Sequence, residues 1–170
     1  MKPMRVLLLI CLFLSLSCSK AAEEGPTALP VDLMALDPPA LPATGLRAVE
    51  RAGGVDFRWL TGPQATMDVR LPGPARLRLA FRASNPLAGQ EITVSVNGNA
   101  VGHVSAIAAA RRLADWQDFA FDFDAPAGAS RIALTFSRYN QRTPQETFAP
   151  GDQDRLAVQV SRLCLGLAGK

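Results

Sequence analysis

The 170-residue chain is poor in the side chains on which most enzyme and metal sites depend: it has one histidine, three cysteines, two tryptophans and one tyrosine. A single imidazole, His103, confines any Ser-His-Asp arrangement to one position, and no Gly-x-Ser-x-Gly elbow accompanies it. His103 follows a hairpin turn in "NGNAVGHV", which reads as a surface or rim position. So few His and Cys also argue against the usual zinc ligand sets. Neither pattern of Gly-rich phosphate loop is present. Basic residues are mostly isolated arginines such as Arg70, Arg76, Arg78 and Arg82, spread along strand-like segments without interleaved aromatics, so no nucleic-acid partner is expected. The apolar run over residues 6–16 is shorter than the roughly 20 residues that span a bilayer. No internal repeat is visible.

What is there begins with an export layout. "MKPMR" is a short basic stretch and "VLLLICLFLSL" an apolar segment, together a signal peptide over residues 1–17. "LSLSC" then resembles the bacterial lipoprotein box, with Ser17 as the small residue before Cys18 and Ser15 where the family prefers Leu. The resemblance implies acylation of Cys18, which would become the new N-terminus and anchor the protein to a membrane. Several acyl chains on one residue anchor stably where a single chain is marginal. Cleavage a few residues later, with Ala21 and Ala22 as the small residues, is the alternative. Ser19 stands where an Asp would signal inner-membrane retention, which favours the outer membrane, the domain facing the periplasm. Losing Lys2 and Arg5 leaves 16 basic against 15 acidic residues, a near-neutral protein. Cys11 leaves with the signal, so Cys164 in "VSRLCLGL" is expected to be a buried free thiol without a base beside it.

Residues 18–45 are rich in Ala, Pro and Leu, with Pro30, Pro38, Pro39 and Pro42. Proline breaks helices and sheet ladders alike, so the segment reads as an extended tether, although its leucines allow part of it to pack along the domain. From residue 46 to 170 the texture changes to period-two alternation, the mark of half-buried strands. "RLRLAFR" sets Leu77, Leu79 and Phe81 against Arg76, Arg78 and Arg82, and "QDFAFDFD" sets Phe119, Phe121 and Phe123 against Asp118, Asp122 and Asp124. Asn97-Gly98 after "EITVSV" is a strong two-residue hairpin signal, since a type I′ turn needs positive φ at both positions. In "RLAVQVSRLCLGL" the apolar phase slips between Val160 and Leu163, which predicts a β-bulge. Only residues 105–116 have a helical composition, and they serve equally as a loop. About eight short strands with frequent Gly/Pro turns predict an all-β, antiparallel, jelly-roll-like sandwich.

Few residues suggest chemistry. Asp118, Asp122 and Asp124 alternate with core Phe and read as solvent-facing, not as an acid/base pair. Asp152 and Asp154 in "GDQD" are a weak candidate for Ca²⁺, which takes six or more oxygens; otherwise no metal and no cofactor is expected. Trp59, Trp116 and Tyr139 lie near strand ends or in loops, and their flat faces with a polar handle suit stacking on sugar rings. Against that, Trp59, between Arg58 and Leu60, is expected to serve the core.

Residues 46–167 resemble the jelly-roll, carbohydrate-binding-module-like (galactose-binding-like) domains of bacterial envelope and glycan-processing proteins. The resemblance rests on "FRWLTG", "ITVSVNG", "DWQDFAFDF", "RIALTFSRYNQRTP" and "DQDRLAVQVSRLCL" in that order. It implies a binding module, not an enzyme, and adds the closing pair Asp154 and Arg155 to the candidate ligand-binding set. The partner it implies is an envelope polysaccharide. An adaptor for an envelope glycan-synthesis or export complex is the alternative, with residues 139–154 as a polar contact loop. A glycan hydrolase or esterase built around His103 is a more distant third.

Overall fold

The computed structural model describes residues 25–107, 109–110, 115–141, 148–149 and 151–169. The signal segment, Cys18, Ala21 and Ala22 lie outside the described residues. So do 108 and 111–114 of the segment with helical composition and 142–147 and 150 of the polar loop.

Eleven strands and no helix occur among the described residues. They are β1 (Val31–Asp32), β2 (Ala43–Thr44), β3 (Glu50–Ala52), β4 (Val55–Thr61), β5 (Gln64–Leu71), β6 (Ala75–Ser84), β7 (Gln90–Val96), β8 (Asn99–Ile107), β9 (Gln117–Ala125), β10 (Gly128–Phe136) and β11 (Leu156–Leu167). Eight of these, β4 to β11, are seven residues or longer. One sheet runs β3-β4-β11-β6-β9, with β1 also on β11; the other runs β2-β5-β10-β7-β8. All pairings are antiparallel. The chain is thus the jelly-roll-like β-sandwich that its alternation predicts.

Leu77, Leu79 and Phe81 of β6 meet Ile132 and Leu134 of β10, Ile92 and Val94 of β7, Met67 of β5 and Leu163 and Leu165 of β11 in one buried cluster. Phe81 packs on Phe119 and Phe121 of β9 at ring-centroid distances of 5.2 and 6.2 Å. The opposite faces of β6 and β9 carry charges in register: Arg76 opposite Asp124, Arg78 opposite Asp122 and Arg82 opposite Asp118. Alternation in both strands therefore buries the Leu row and Phe123, turns the half-buried Phe119 and Phe121 inward, and leaves an ion-pair ladder in solvent. Asn97 and Gly98 have φ of 50° and 85°, as the type I′ turn requires. The register of β11 against β6 shifts between Val160 and Arg162, so the phase slip is a bulge that returns Leu163 and Leu165 to the core.

From Gly25 onward the Pro-rich segment is laid onto the sandwich. The Thr27 N–H donates to Arg70 O at 2.7 Å, and the Arg70 N–H to Thr27 Oγ1 at 2.9 Å. β1 pairs with the far half of β11, past the end of β4, and β2 pairs with β5. Val31, Leu33 and Leu41 are buried in the core cluster. Each such side chain is worth roughly 1.5–3 kcal/mol on burial, enough to hold the segment down as a strap. Residues 25–45 thus belong to the fold, which begins before residue 46.

The strap covers a buried arginine. Arg58 shares the inward face of β4 with Leu60, and both are fully buried. Its guanidinium donates to the carbonyls of Arg47 (3.1 Å) and Leu36 (2.9 Å), while its Nε has no partner among the described residues. Burial lowers its pKa from the ordinary arginine value, and the charges of Asp37 and Asp32 partly oppose that.

Candidate functional site

The two ends of the sandwich differ. One is closed by tight turns: Pro72-Gly73-Pro74, Asn97-Gly98 and the turn at Pro126-Ala127. The other gathers the longer connections β6–β7, β8–β9 and β10–β11 with the cis Gly62-Pro63 turn between β4 and β5. This second end, the rim, holds Trp116 just before β9, Tyr139 in the β10–β11 connection and Trp59 two residues before the end of β4.

Buried amides organise the rim. Asn85 accepts the Leu87 N–H at 3.1 Å, donates to the Leu87 carbonyl and reaches Ile107 O at 3.4 Å. Gln90 donates to Arg138 O and accepts the Arg138 N–H, both at 2.8 Å. Asn140 donates to the carbonyls of Ala149 (3.2 Å) and Asp154 (3.3 Å). Each side chain ties a loop to a neighbouring element, which gives irregular backbone the partners that a ladder would otherwise supply.

Trp59 faces away from the core, because its neighbours Arg58 and Leu60 point inward. The expectation that it serves the core is therefore corrected. It is half-buried and stacks on Phe148 at 5.6 Å and 27°. Directly opposite it on β11 is Gln159, and opposite Gln159 on β6 is Ser84; both are buried polar residues. Trp116 precedes Gln117, whose partner on β6 is Ala83, next to Ser84. Three strand steps of about 4.8 Å separate the levels of the two tryptophans, so they flank Gln159 and Ser84 at a spacing of roughly 14 Å. Trp116 is half-buried, and its indole Nε1–H is shut off from solvent with no acceptor among the described residues. A buried donor without a partner is costly, and a bound acceptor or water is its ordinary remedy.

Tyr139 is clamped. It packs against the core cluster, and a Cβ on Gly62 would lie 2.2 Å from its Cγ. The Arg155 guanidinium sits 5.9 Å from the ring centroid. Tyr139 and Arg155 thus form a cation–π pair that braces the rim. Asp154 and Asp152 both turn to Arg47, at 3.1 and 2.9 Å, and Asp152 Oδ1 accepts the Asp154 N–H. The Ca²⁺ reading of this pair is corrected: the cation that the two carboxylates face is a guanidinium. Among the described residues no group of three His, Cys, Asp or Glu is arranged to hold a metal. The structure therefore brings Trp59, Tyr139, Asp154 and Arg155 to one side of the rim, with Trp116 across the sheet.

His103 is exposed on β8, its Nδ1 3.3 Å from Thr93 Oγ1 on β7. Cys164 is half-buried and points outward, between Asp32 on β1 and Ala80 on β6, not into the core as expected. Burial raises its thiol pKa and Asp32 adds to this, the opposite of what a nucleophile needs. Sequence reasoning missed Arg47, Phe148 and Gln159. Of these, only Gln159 left a signal, as the one amide within "LAVQV".

No protein-family model matches the chain. No curated protein sequence matches it either. Solved structures share its fold. A family 35 carbohydrate binding module from Clostridium thermocellum is 17% identical over 83% of this chain and 100% of its own, with a TM-score of 0.50. A family 35 module from an environmental isolate is 13% identical over 84% of this chain and 95% of its own, with a TM-score of 0.51. A ruminal GH26 endo-beta-1,4-mannanase is 15% identical over 86% of this chain and 28% of its own, also with a TM-score of 0.51. At these identities the likeness is one of architecture.

Proposed function

We propose that this chain is a non-catalytic glycan-binding module of the bacterial cell envelope, anchored to a membrane through lipid on Cys18 and facing the periplasm, at the outer membrane. One observation carries the binding role: the buried indole N–H of Trp116 lacks an acceptor among the described residues, on the same rim where Trp59 stands at the sheet's outer face. Sugar hydroxyls supply acceptors, and their rings supply apolar faces for the indoles. The fold shared with carbohydrate binding modules supports the same reading. Its ligand is an envelope polysaccharide, long enough to meet both tryptophans.

Glycan arrays followed by isothermal titration test this. Trp116→Phe keeps an aromatic face but removes the donor, and about a tenfold loss of affinity is expected, the worth of one hydrogen bond in a buried site. Trp59→Ala should weaken binding by a similar factor. Absence of glycan binding, or binding indifferent to both substitutions, overturns the proposal.

A further inference from the structure

The strap changes how a lipid anchor at Cys18 would hold the domain. A free tether over residues 18–45 could stretch to about 95 Å at roughly 3.4 Å per residue. Yet the chain is already fixed at Thr27, whose N–H donates to Arg70 O and whose Oγ1 accepts the Arg70 N–H, and Val31, Leu33 and Leu41 are buried further on. Arg58 adds a hydrogen bond to the strap carbonyl of Leu36 and another to the carbonyl of Arg47 just beyond it. Only residues 18–25 remain as a leash, which spans at most about 27 Å.

The leash leaves from a defined place. Gly25 lies beside Asp68, Arg70 and Ala129, near the end of β5 and the start of β10. That is the tight-turn end. Its turns are Pro72-Gly73-Pro74, Asn97-Gly98 and Pro126-Ala127-Gly128, with Ala168 and Gly169 following β11; none of these residues is acidic. In sequence, the rim connections over 108–116 and 137–155 hold five basic and four acidic residues. Asp124, near the tight-turn end of β9, is held by Arg76 at 3.6 Å, and Asp152 and Asp154 at the rim are held by Arg47, so charge does not separate the two ends; the exit point of the leash does.

We propose that the tight-turn end of the sandwich is a membrane-facing surface, which keeps the domain within a short leash of the lipid headgroups and presents the tryptophan rim outward. This rests on the lipid anchor at Cys18 proposed above. The rim then stands farther from the bilayer by the length of β6, about 33 Å at 3.3 Å per residue for ten residues. Orientation comes from the docked strap and not from any added contact.

The test uses the full-length acylated protein in vesicles of phosphatidylethanolamine and phosphatidylglycerol that carry a spin-labelled headgroup. Gly73 and Gly151 have no atom within 4 Å of an added Cβ and no positive φ, so each accepts a labelled cysteine. In a Cys164→Ala background, a fluorophore on Gly73→Cys should be quenched at least threefold more than one on Gly151→Cys. A flexible Gly/Ser insertion of about 20 residues before Gly25 should abolish that difference, since the leash would then reach past the domain. Equal quenching at the two sites, or stronger quenching at Gly151→Cys, overturns the orientation. Mass spectrometry of the N-terminal peptide separates the two ideas: an unmodified Cys18 removes the anchor and the orientation together, while an acylated Cys18 with equal quenching removes the orientation alone.

Discussion

The two ends of this sandwich are built by different means. At the tight-turn end, direction reverses within two or three residues, and what each turn needs is supplied locally: prolines around Gly73 and positive φ at Asn97 and Gly98. At the rim, loops are held by partners far away in sequence. Gln90 holds residue 138, Asn140 holds residues 149 and 154, and Arg47 holds Asp152 and Asp154. A turn end assembled from neighbours tolerates change one residue at a time. A rim assembled from distant partners carries the buried polar groups, and with them the capacity to bind.

Removing Arg58 should produce the largest effect. Arg58→Ala leaves a cavity under the strap and two carbonyls, of Leu36 and Arg47, without their donor. A loss of about 3–5 kcal/mol is expected from cavity and unsatisfied-carbonyl costs combined. Urea denaturation reads the stability. Limited proteolysis should show earlier cutting within residues 25–47 than elsewhere if the strap loosens first.

Glycine substitutions at the two ends sharpen the contrast. A methyl at Gly62 would sit 2.2 Å from Cγ of Tyr139, so Gly62→Ala must displace a ring that is braced by Arg155 and packed on the core. Overpacking of this kind costs about 1–3 kcal/mol. It should also weaken glycan binding, because Trp59 lies three residues away on the same strand and turn. Gly73→Ala meets open space at the other end and should change stability by less than about 0.5 kcal/mol. Gly98→Ala falls between: space is open, but its φ of +85° is strained for alanine, at about 1–2 kcal/mol. If Gly62→Ala proved as mild as Gly73→Ala, the rim would be softer than its packing implies.

The same division explains what was legible in the sequence. Leu77, Leu79 and Phe81 announce their strand because the period of two is local, and Asn97-Gly98 announces its turn for the same reason. The bulge after Val160 is legible as a slip in that period. Arg58 is not, since an arginine beside exposed Asp56 reads as a solvated face until the strap is seen to cover it. Trp59 was misjudged as core for a related reason: if Arg58 is taken as outward, its neighbour must be inward. The pairing of Asp152 and Asp154 with Arg47 spans about a hundred positions, and no local pattern encodes it.

The smallest effect lies on the outer face of the five-stranded sheet. Arg131 donates to both carboxylate oxygens of Asp68, at 2.7 and 2.9 Å, across the β10–β5 pair. That hydrogen bonding lowers the Asp68 pKa below its ordinary value, against a smaller opposing contribution from desolvation. Because the native value is depressed, the pair's stabilisation is complete above the unfolded pKa near 4 and is lost as the pH falls through the native value. Both side chains are largely in solvent, at 64% and 42% exposure, so screening leaves only a small stabilisation. Asp68→Asn should therefore lower the urea midpoint slightly at neutral pH. The difference from the parent chain should shrink in about 1 M salt and disappear as the pH falls below the native Asp68 value, where both carry a neutral side chain. A difference that persisted in acid would mean that Asp68 acts through the adjoining strap, whose Pro42 carbonyl accepts its backbone N–H, and not through its charge.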